Sequence, residues 1–180
     1  FVGHWLKGSL GQDRKDIGML IKTVAETFKN KNKRNRPGLI LKTSSATFSI
    51  IDRDIITEKI QDILKPYGNK APNVYLLHGD LTDEEMNSLY NYPKIKAMVS
   101  FTKGEGFGRP LLEFTATGKP VIAPAWSGQV DFLKDHSILL PGEMTDVHKS
   151  AADKFLLKGS KWFTVNYSYA SRVFKEIMEN

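Results

Sequence analysis

Two carboxylates, Glu105 and Glu113, stand eight residues apart on either side of a glycine-containing segment. The apolar run at 95–100 predicts a buried strand ahead of them, and Pro110 and Gly118 bracket a predicted helix. The amides at such a helix start favour an anion. Carboxylates accept hydrogen bonds from hydroxyl groups. The pattern therefore suits a ligand with hydroxyl groups on both sides of a phosphate, as in the ribose, pyrophosphate and hexose of a nucleotide-sugar.

The segment around these glutamates resembles a known family. Glu-Gly-Phe-Gly at 105–108, followed by Glu113, is similar to the E-x7-E motif of retaining GT-B glycosyltransferases of the group 1 type. The resemblance includes Gly-Lys-Pro-Val-Ile-Ala at 118–123 and Ser-Gly-Gln-Val-Asp-Phe-Leu at 127–133, and upstream it takes in 73–79 and 81–86. Two glutamates at this spacing also occur on a solvated helix face beside a turn. Here the strand, glycine turn, proline and following strand are all in register.

The resemblance implies a fold and a domain boundary. The fold class would be α/β, a Rossmann-like doubly wound parallel sheet that forms one half of a GT-B fold. Residues 1–180 would be the C-terminal, nucleotide-sugar-binding domain, a fragment without its N-terminal acceptor domain. The chain starts at Phe1 within a predicted strand, which supports the same expectation. The isolated fragment would then bind the donor weakly and turn nothing over.

The resemblance also assigns roles to residues. Glu105 would be the catalytic-centre carboxylate that holds the donor sugar, and Glu113 would hold the ribose hydroxyls. The loop after 74–77 would contact the base, with Leu81 stacking on it and Gly79 beside it. His78 in that loop is interpreted as a structural histidine. The sugar and pyrophosphate would be held by the motif itself, through Gly106, Phe107, Gly108 and Arg109.

A basic pair after the first strand binds the donor pyrophosphate in the resembled family. Lys15, with Arg14 beside it, matches the second member of that pair, whereas His4 stands where the first would be an arginine. Cations there would neutralise charge on the leaving nucleoside diphosphate. Lys15 and Arg14 could instead be surface charges, although cations at a helix start are electrostatically unfavourable. Lys42 lies at the end of a predicted strand, where its side chain could equally face the cleft or the surface.

Strands and helices alternate along the chain. Periodicity predicts strands at 1–3, 39–42, 74–77, 95–100, 121–123 and 138–140, and helices at 14–29, 51–65, 83–90, 110–117 and 128–133. Such alternation indicates a parallel sheet covered on both faces. The motifs all fall at the carboxyl ends of predicted strands, where ligands bind in such sheets. The aromatic residues at 162–169 are interpreted as core or as packing for the other half, rather than as a platform for bases.

The composition limits the kinds of site and partner that this protein can have. The chain has a net charge of +6 and no cysteine, which excludes disulfides and thiolate metal sites and fits a cytoplasmic protein. No apolar run approaches the length of a membrane span. The basic run at 29–36 is interpreted as a solvated loop, with peripheral contact to anionic lipid or glycan as the alternative. No nucleic-acid partner is expected.

Metal sites and cofactors are not expected. Four histidines without cysteines match no ligand spacing, and Asp52-Arg53-Asp54 resembles helix capping rather than a metal motif. Neither a Gly-x-Gly-x-x-Gly fingerprint nor a Walker A loop is present. The expected substrate is a nucleotide-sugar donor, a UDP- or GDP-sugar, used without metal or cofactor.

The resulting hypothesis is a hexosyltransferase-type glycosyltransferase. It would move sugar from the nucleotide-sugar to a glycan, lipid or protein acceptor with retention, and its partner would be the N-terminal Rossmann half of the same enzyme. Two alternatives stay open. One is another GT-B-shaped enzyme, such as a nucleotide-sugar 2-epimerase or a phosphorylase. The other is a non-catalytic basic module that binds nucleotide, nucleic acid or lipid.

Overall fold

Strands and helices alternate along the computed structural model, which describes residues 1–45 and 47–179. The strands are β1 (Leu39–Lys42), β2 (Val74–Leu77), β3 (Met98–Val99), β4 (Val121–Pro124), β5 (Ile138–Leu140), β6 (Gly142–Asp146) and β7 (Lys161–Val165). The α-helices are α1 (Ile17–Phe28), α2 (Ile50–Leu64), α3 (Asp83–Asn91), α4 (Arg109–Thr115), α5 (Val130–Leu133) and α6 (Tyr167–Glu179). Short 3₁₀ turns lie at Lys33–Asn35 and Lys65–Lys70.

The first five strands are parallel. β1 pairs with β2, and β3, β4 and β5 pair in that order. The α/β prediction with parallel strands is confirmed, but the pairing divides into two sheets. The predicted strand at 1–3 is a single bridge between Val2 and Lys42, and the predicted strand at 95–100 pairs only at Met98 and Val99.

Apolar side chains cover both faces of β4, the middle strand of the second parallel sheet. Ile122 packs into one core with α1 and α6, whereas its neighbours Val121 and Ala123 pack into a second core with α3 and α4. Successive side chains of a strand point to opposite faces, so an apolar run such as β4 is buried on both sides. In parallel sheets with helices packed on their faces, ligands bind at the carboxyl ends of the strands.

The helix starts differ from the sequence-based bounds in an informative way. α1 begins at Ile17 rather than at 14, because Asp16 has left-handed backbone angles with φ of 53°. Lys15 and Arg14 therefore lie in a loop and not in a first helical turn.

In α2 the cap is Ser49, whose side chain accepts from the Asp52 amide. The interpretation of Asp52 as a cap was therefore wrong.

A C-terminal hairpin follows the parallel strands. β6 and β7 pair antiparallel from Gly142–Val165 to Asp146–Lys161, and α6 then packs against α1. The hairpin was not predicted, since β6 is exposed and lacks alternation. The aromatic residues Trp162 and Phe163 are buried on β7, which supports the interpretation of that cluster as core.

Candidate functional site

The loop between β3 and α4 carries Glu105, and a second loop holds its backbone in place. The Glu105 amide donates to Ser127 Oγ at 3.0 Å, and Ser127 Oγ donates to the Glu105 carbonyl at 2.6 Å. The Gly128 amide donates to the same carbonyl at 3.1 Å. A Cβ on Gly128 would lie 2.1 Å from the Gly106 carbonyl oxygen, so only glycine permits this approach of the two loops.

The Glu105 carboxylate faces two cations. Lys15 Nζ forms an ion pair with Oε1, and Arg14 Nη1 lies 3.7 Å from Oε2 while donating to the Gly104 carbonyl at 2.8 Å. The Lys15 and Glu105 side chains are 12% and 15% exposed. Burial lowers the pKa of Lys15, the Glu105 charge opposes that shift, and Arg14 adds to it. Lys15 thus reaches Glu105 from a loop rather than from the first turn of a helix.

A second ion pair lies directly beneath this one and is fully buried. Lys103 Nζ is 3.3 Å from Asp16 Oδ2, and the two side chains are 1% and 0% exposed. Lys103 also donates to Thr164 Oγ1 on β7 at 2.9 Å, and Tyr167 on α6 donates to Asp16 Oδ2 at 2.5 Å. The Lys103 amide donates to the Arg14 carbonyl at 2.7 Å. The buried pair thus fixes the two loops that carry Lys15 and Glu105.

Burial dominates the electrostatics of Asp16. It raises the pKa of Asp16 to about 6, an effect that Lys103 and Tyr167 oppose and Asp13 reinforces. Burial and the neighbouring Asp16 carboxylate raise the pKa of Tyr167 in turn. The Asp16 Oδ1 atom is buried and makes no hydrogen bond. Asp16 is therefore an acid whose charged form is stabilised on one oxygen alone.

Glu113 lies on α4 in a different setting. Its Oε1 is 2.7 Å from Arg109 Nε, with side-chain exposures of 39% for Glu113 and 80% for Arg109. Tyr90 of α3 donates to Oε2 at 3.3 Å. Burial, followed by the Glu113 charge, raises the pKa of Tyr90. Arg109 was predicted to hold pyrophosphate, and Glu113 was predicted to hold ribose. In the structure these two side chains form an ion pair with each other.

The other predicted motif residues differ in exposure. Gly106 and Phe107 are exposed, and the Phe107 ring packs on Phe132 with 5.3 Å between centroids. Gly108 is buried at the N-cap of α4 with φ of 86°. A Cβ there would meet Gln129 at 3.2 Å. Gly108 therefore shapes the turn and offers no side chain to a ligand.

The predicted nucleoside side is built from the ends of β1 and β2. Lys42 donates to the Gly79 carbonyl at 2.7 Å and lies over the Phe48 ring, 5.6 Å from its centroid. Lys42 therefore braces the loop after β2. His78 Nε2 is 2.8 Å from Asp52 Oδ2, and both side chains are 7% exposed, as expected of a structural histidine. Leu81 is half-buried ahead of α3.

The basic run at 29–36 is partly tied down. Lys29 pairs with Glu26 at 2.6 Å, and Arg36 donates to the carbonyls of Lys31, Asn69 and Ala71. Across residues 1–45 and 47–179, no group of three or more His, Asp or Glu residues is placed to hold a metal ion. The same ranges contain no helix long and apolar enough to cross a bilayer.

Sequence reasoning missed Lys103, Asp16 and Ser127. The signal for Lys103 was a lone lysine between the apolar strand and the glycine turn, in Phe-Thr-Lys-Gly at 101–104. A lysine at that position must either extend its ammonium group to solvent or form an ion pair with a buried anion. Ser127 lies in the resembling segment at 127–133, but its contact with Glu105 was not predicted. Asp16 carried no local signal, and the positive φ values of the two residues, 53° for Asp16 and 78° for Ser127, are known only from the structure.

Comparison with known proteins identifies a family and a fold. The model of the family "Glycosyl transferases group 1" matches residues 57–161, more than half of the chain. No curated protein matches. Among solved structures, the C-terminal domain of a glycosyl transferase group 1 family protein (LpcC) from Francisella tularensis matches with a TM-score of 0.62 and 15% identity, over 99% of this chain and 75% of that one.

A second solved structure shows the same fold in another protein. The N-terminal domain of Candida albicans trehalose-6-phosphate phosphatase matches with a TM-score of 0.58 and 17% identity, over 99% of this chain and 34% of that one. Likeness at such identities establishes the fold alone. The fold is the Rossmann-like α/β domain that forms one half of a GT-B fold, as the sequence predicted.

Replacing Lys103 by Met should strongly destabilise the domain. The change leaves a buried carboxylate at Asp16 without its cation, which typically costs about 3–5 kcal/mol. Urea unfolding at pH 7 measures the loss. Lys161→Met is the matched control, because Lys161 and Asp146 form a pair 3.8 Å apart with exposures of 61% and 80%, where about 0–1 kcal/mol is expected. Equal effects of the two substitutions would contradict the role given to Lys103.

Asp16→Asn should remove a pH dependence of stability. The native pKa of Asp16 is about 6 against a reference of 3.8, so between those values the native state binds more protons than the unfolded state. Wild-type stability should therefore fall relative to Asp16→Asn as pH rises from 4 to 7, by roughly 2–3 kcal/mol at about 1.4 kcal/mol per pKa unit. Unfolding curves across that range provide the test, with exposed Asp54→Asn as control. Parallel pH profiles for wild type and Asp16→Asn would refute it.

Proposed function

The chain belongs to the glycosyl transferases group 1 family, and from that premise we propose that it is the donor-binding, C-terminal half of a nucleotide-sugar-dependent glycosyltransferase. The carrying observation is the cluster at the carboxyl end of β3, where Glu105 on a glycine turn faces Lys15 and Arg14. Glu105 lies inside the segment that the family model matches, whereas both cations lie outside it. The fold brings the two parts together.

In this proposal the two cations bind the diphosphate of the donor. Lys15 and Arg14 now neutralise Glu105, and a diphosphate that carries more than one negative charge would compete for them. The partial burial of Lys15 strengthens its attraction to phosphate relative to a solvated lysine. In the transition state, negative charge grows on the leaving nucleoside diphosphate, and cations already in place stabilise it without reorganisation.

Glu105 would then turn its carboxylate to the donor sugar. Once the phosphate groups form ion pairs with Lys15 and Arg14, the Glu105 oxygens become available to accept hydrogen bonds from sugar hydroxyls near the reacting carbon. Hydrogen bonds of the Glu105 backbone with Ser127 Oγ and with the Gly128 amide keep that residue in place throughout. Exposed Gly106 and Phe107 beside it leave the backbone of the turn open to the sugar and pyrophosphate.

Glu113 would hold the ribose hydroxyls. Its 39% exposed side chain leaves lone pairs available to a ligand, and Tyr90 and Arg109 orient it. The base would lie by the loop after β2, where Lys42 fixes Gly79 and half-buried Leu81 offers an apolar face. Binding needs no metal in this scheme, since side-chain cations serve the diphosphate.

The acceptor side would be supplied by the N-terminal half. We propose transfer of a hexosyl group with retention, from a UDP- or GDP-sugar to a glycan, lipid or protein acceptor, in the cytoplasm or at the surface of a membrane. With the whole enzyme, free nucleoside diphosphate together with a glycosylated acceptor is the expected product. An epimerised sugar without transfer would instead identify a nucleotide-sugar 2-epimerase.

Lys15→Ala should lower the affinity for nucleoside diphosphates by about tenfold or more while leaving the affinity for the parent nucleosides unaffected, since a charge-assisted hydrogen bond contributes about 1.5–3 kcal/mol. Calorimetric titration with UDP, GDP, uridine and guanosine in EDTA measures both. The difference should shrink as salt rises, because the contact is partly solvated. Exposed Lys22→Ala on α1 is the matched control.

Glu105→Gln sharpens this test. It frees Lys15 and Arg14 from their carboxylate, so affinity for the diphosphate should hold or rise while affinity for the complete nucleotide-sugar falls. Equal losses for nucleosides and diphosphates in Lys15→Ala would mean damage to the fold. No loss for either ligand, or no binding at all without Mg²⁺, would overturn the proposed diphosphate site.

Glu113→Gln should lower affinity for nucleoside diphosphates about tenfold, because it replaces hydrogen bonds to a charged acceptor by weaker ones. The comparison of ribonucleoside with 2′-deoxyribonucleoside diphosphates isolates the contact, since the substitution should matter less for the deoxy ligand. Exposed Glu58→Gln on α2 is the control. Unchanged calorimetric affinity in a variant with wild-type Tm would exclude the ribose assignment.

A further inference from the structure

The connection between β6 and β7 presents two apolar side chains to solvent. Phe155 is 84% exposed and Leu157 is 59% exposed, and these two side chains form what we call the apolar tip. Leu156, between them, packs instead on the small core around Trp162. Alternate burial along three consecutive residues therefore directs the flanking pair outward, while the middle residue anchors the connection to the domain.

Hydrogen bonds within the connection hold the apolar tip in place. The Asp153 carboxylate accepts from the amides of Phe155 and Leu156 at 2.8 and 2.7 Å. The Asp153 amide donates to the Leu156 carbonyl at 2.9 Å. The Ser160 amide donates to the Leu157 carbonyl at 3.2 Å. The tip is thus presented by a hydrogen-bonded turn, so its exposure follows from a defined backbone.

Exposed lysines accompany the apolar tip. Lys7 reaches the connection from the first loop of the chain, where its Nζ donates to the Ala152 carbonyl at 2.8 Å and lies 3.7 Å from the Asp153 carboxylate. Lys154 Nζ lies 4.9 Å from the centroid of the Phe155 ring. The exposed lysines of this surface are Lys7, Lys149, Lys154, Lys158 and Lys161. They outnumber their two carboxylate partners, Asp153 and Asp146.

Apolar side chains among mobile cations match the chemistry of an anionic bilayer surface. Aromatic and leucine side chains enter the boundary between headgroups and acyl chains, and lysines keep their ammonium groups at the level of the lipid phosphates. A protein partner fits this surface less well, because lysine is depleted from protein–protein interfaces. Single-stranded nucleic acid offers bases to an aromatic ring but no apolar phase to the leucine.

We propose that the apolar tip and its lysines form a docking surface for an anionic lipid bilayer. Phe155 and Leu157 insert below the headgroups, and Lys154 exchanges its contact with the Phe155 ring for a lipid phosphate. This surface goes beyond the proposed function and does not depend on it. Affinity for UDP or GDP should therefore be the same in every variant used to test the surface.

The first test removes the apolar part of the surface. Sedimentation with vesicles of equal parts phosphatidylglycerol and phosphatidylcholine measures the affinity of the 180-residue chain. The double substitution Phe155→Ser and Leu157→Ser should lower that affinity by about tenfold or more, because two apolar side chains no longer leave water. Ile51→Ser is the control, since Ile51 on α2 is 73% exposed and lies outside this surface. An unchanged Tm shows that each variant is folded.

The second test removes charge. The double substitution Lys154→Gln and Lys158→Gln should lower affinity for the same vesicles by about tenfold or more, given the attraction of each lysine to an anionic surface. Binding to pure phosphatidylcholine should be much weaker for the unsubstituted chain. Lys33→Gln with Arg34→Gln is the matched control, because both side chains are exposed in the other basic segment of the chain.

The outcomes separate lipid docking from the alternatives. Absence of binding to the anionic vesicles by the unsubstituted chain would overturn the proposal. So would equal losses from the tip variant and Ile51→Ser. Loss in the lysine variant alone, with full binding by the tip variant, would mean attraction of a basic surface to any polyanion, nucleic acid included, without insertion. A larger loss from Lys33→Gln with Arg34→Gln would place the contact in the segment 29–36 instead.

Discussion

The buried pair of Asp16 and Lys103 is the contact on which the site geometry depends. Asp16 directly follows Lys15, and Lys103 precedes Glu105 by two residues. Joining the deeper residues therefore brings the shallower ones together. Thr164 and Tyr167 complete the pair, which gives the C-terminal hairpin and α6 a part in holding a site that they do not enter.

The ion pairs near Glu105 differ in how far their side chains are exposed to solvent. A pair at 0–1% exposure cannot exchange partners without leaving a charge in a medium of low dielectric, so it acts as a fixed strut. The pair of Lys15 and Glu105, at 12–15% exposure, is close enough to solvent for a charged ligand to displace one partner. Glu113 and Arg109 are more open still. In the function we propose, the buried pair stays fixed while the diphosphate replaces Glu105 as the partner of Lys15.

The sequence predicted what short-range patterns determine. The strand, glycine turn and helix around Glu105 were predicted, as was the position of the motifs at the carboxyl ends of strands, where ligands bind in parallel sheets. The partnership of Asp16 with Lys103, 87 residues apart in the chain, depends on which loops meet. The exposed strand β6 was missed because its stability comes from pairing with β7 across a 14-residue connection.

The two ends of the parallel strands are physically linked by the segment from Phe1 to Asp16. At its start, this segment pairs with β1, and near its end it carries Lys15. A Cβ on Gly3 would lie 3.6 Å from Lys15 Cε, so the backbone of the first residues packs against the cation that faces Glu105. The amino end of the sheet thereby contributes to the precision of the charged cluster at the carboxyl end.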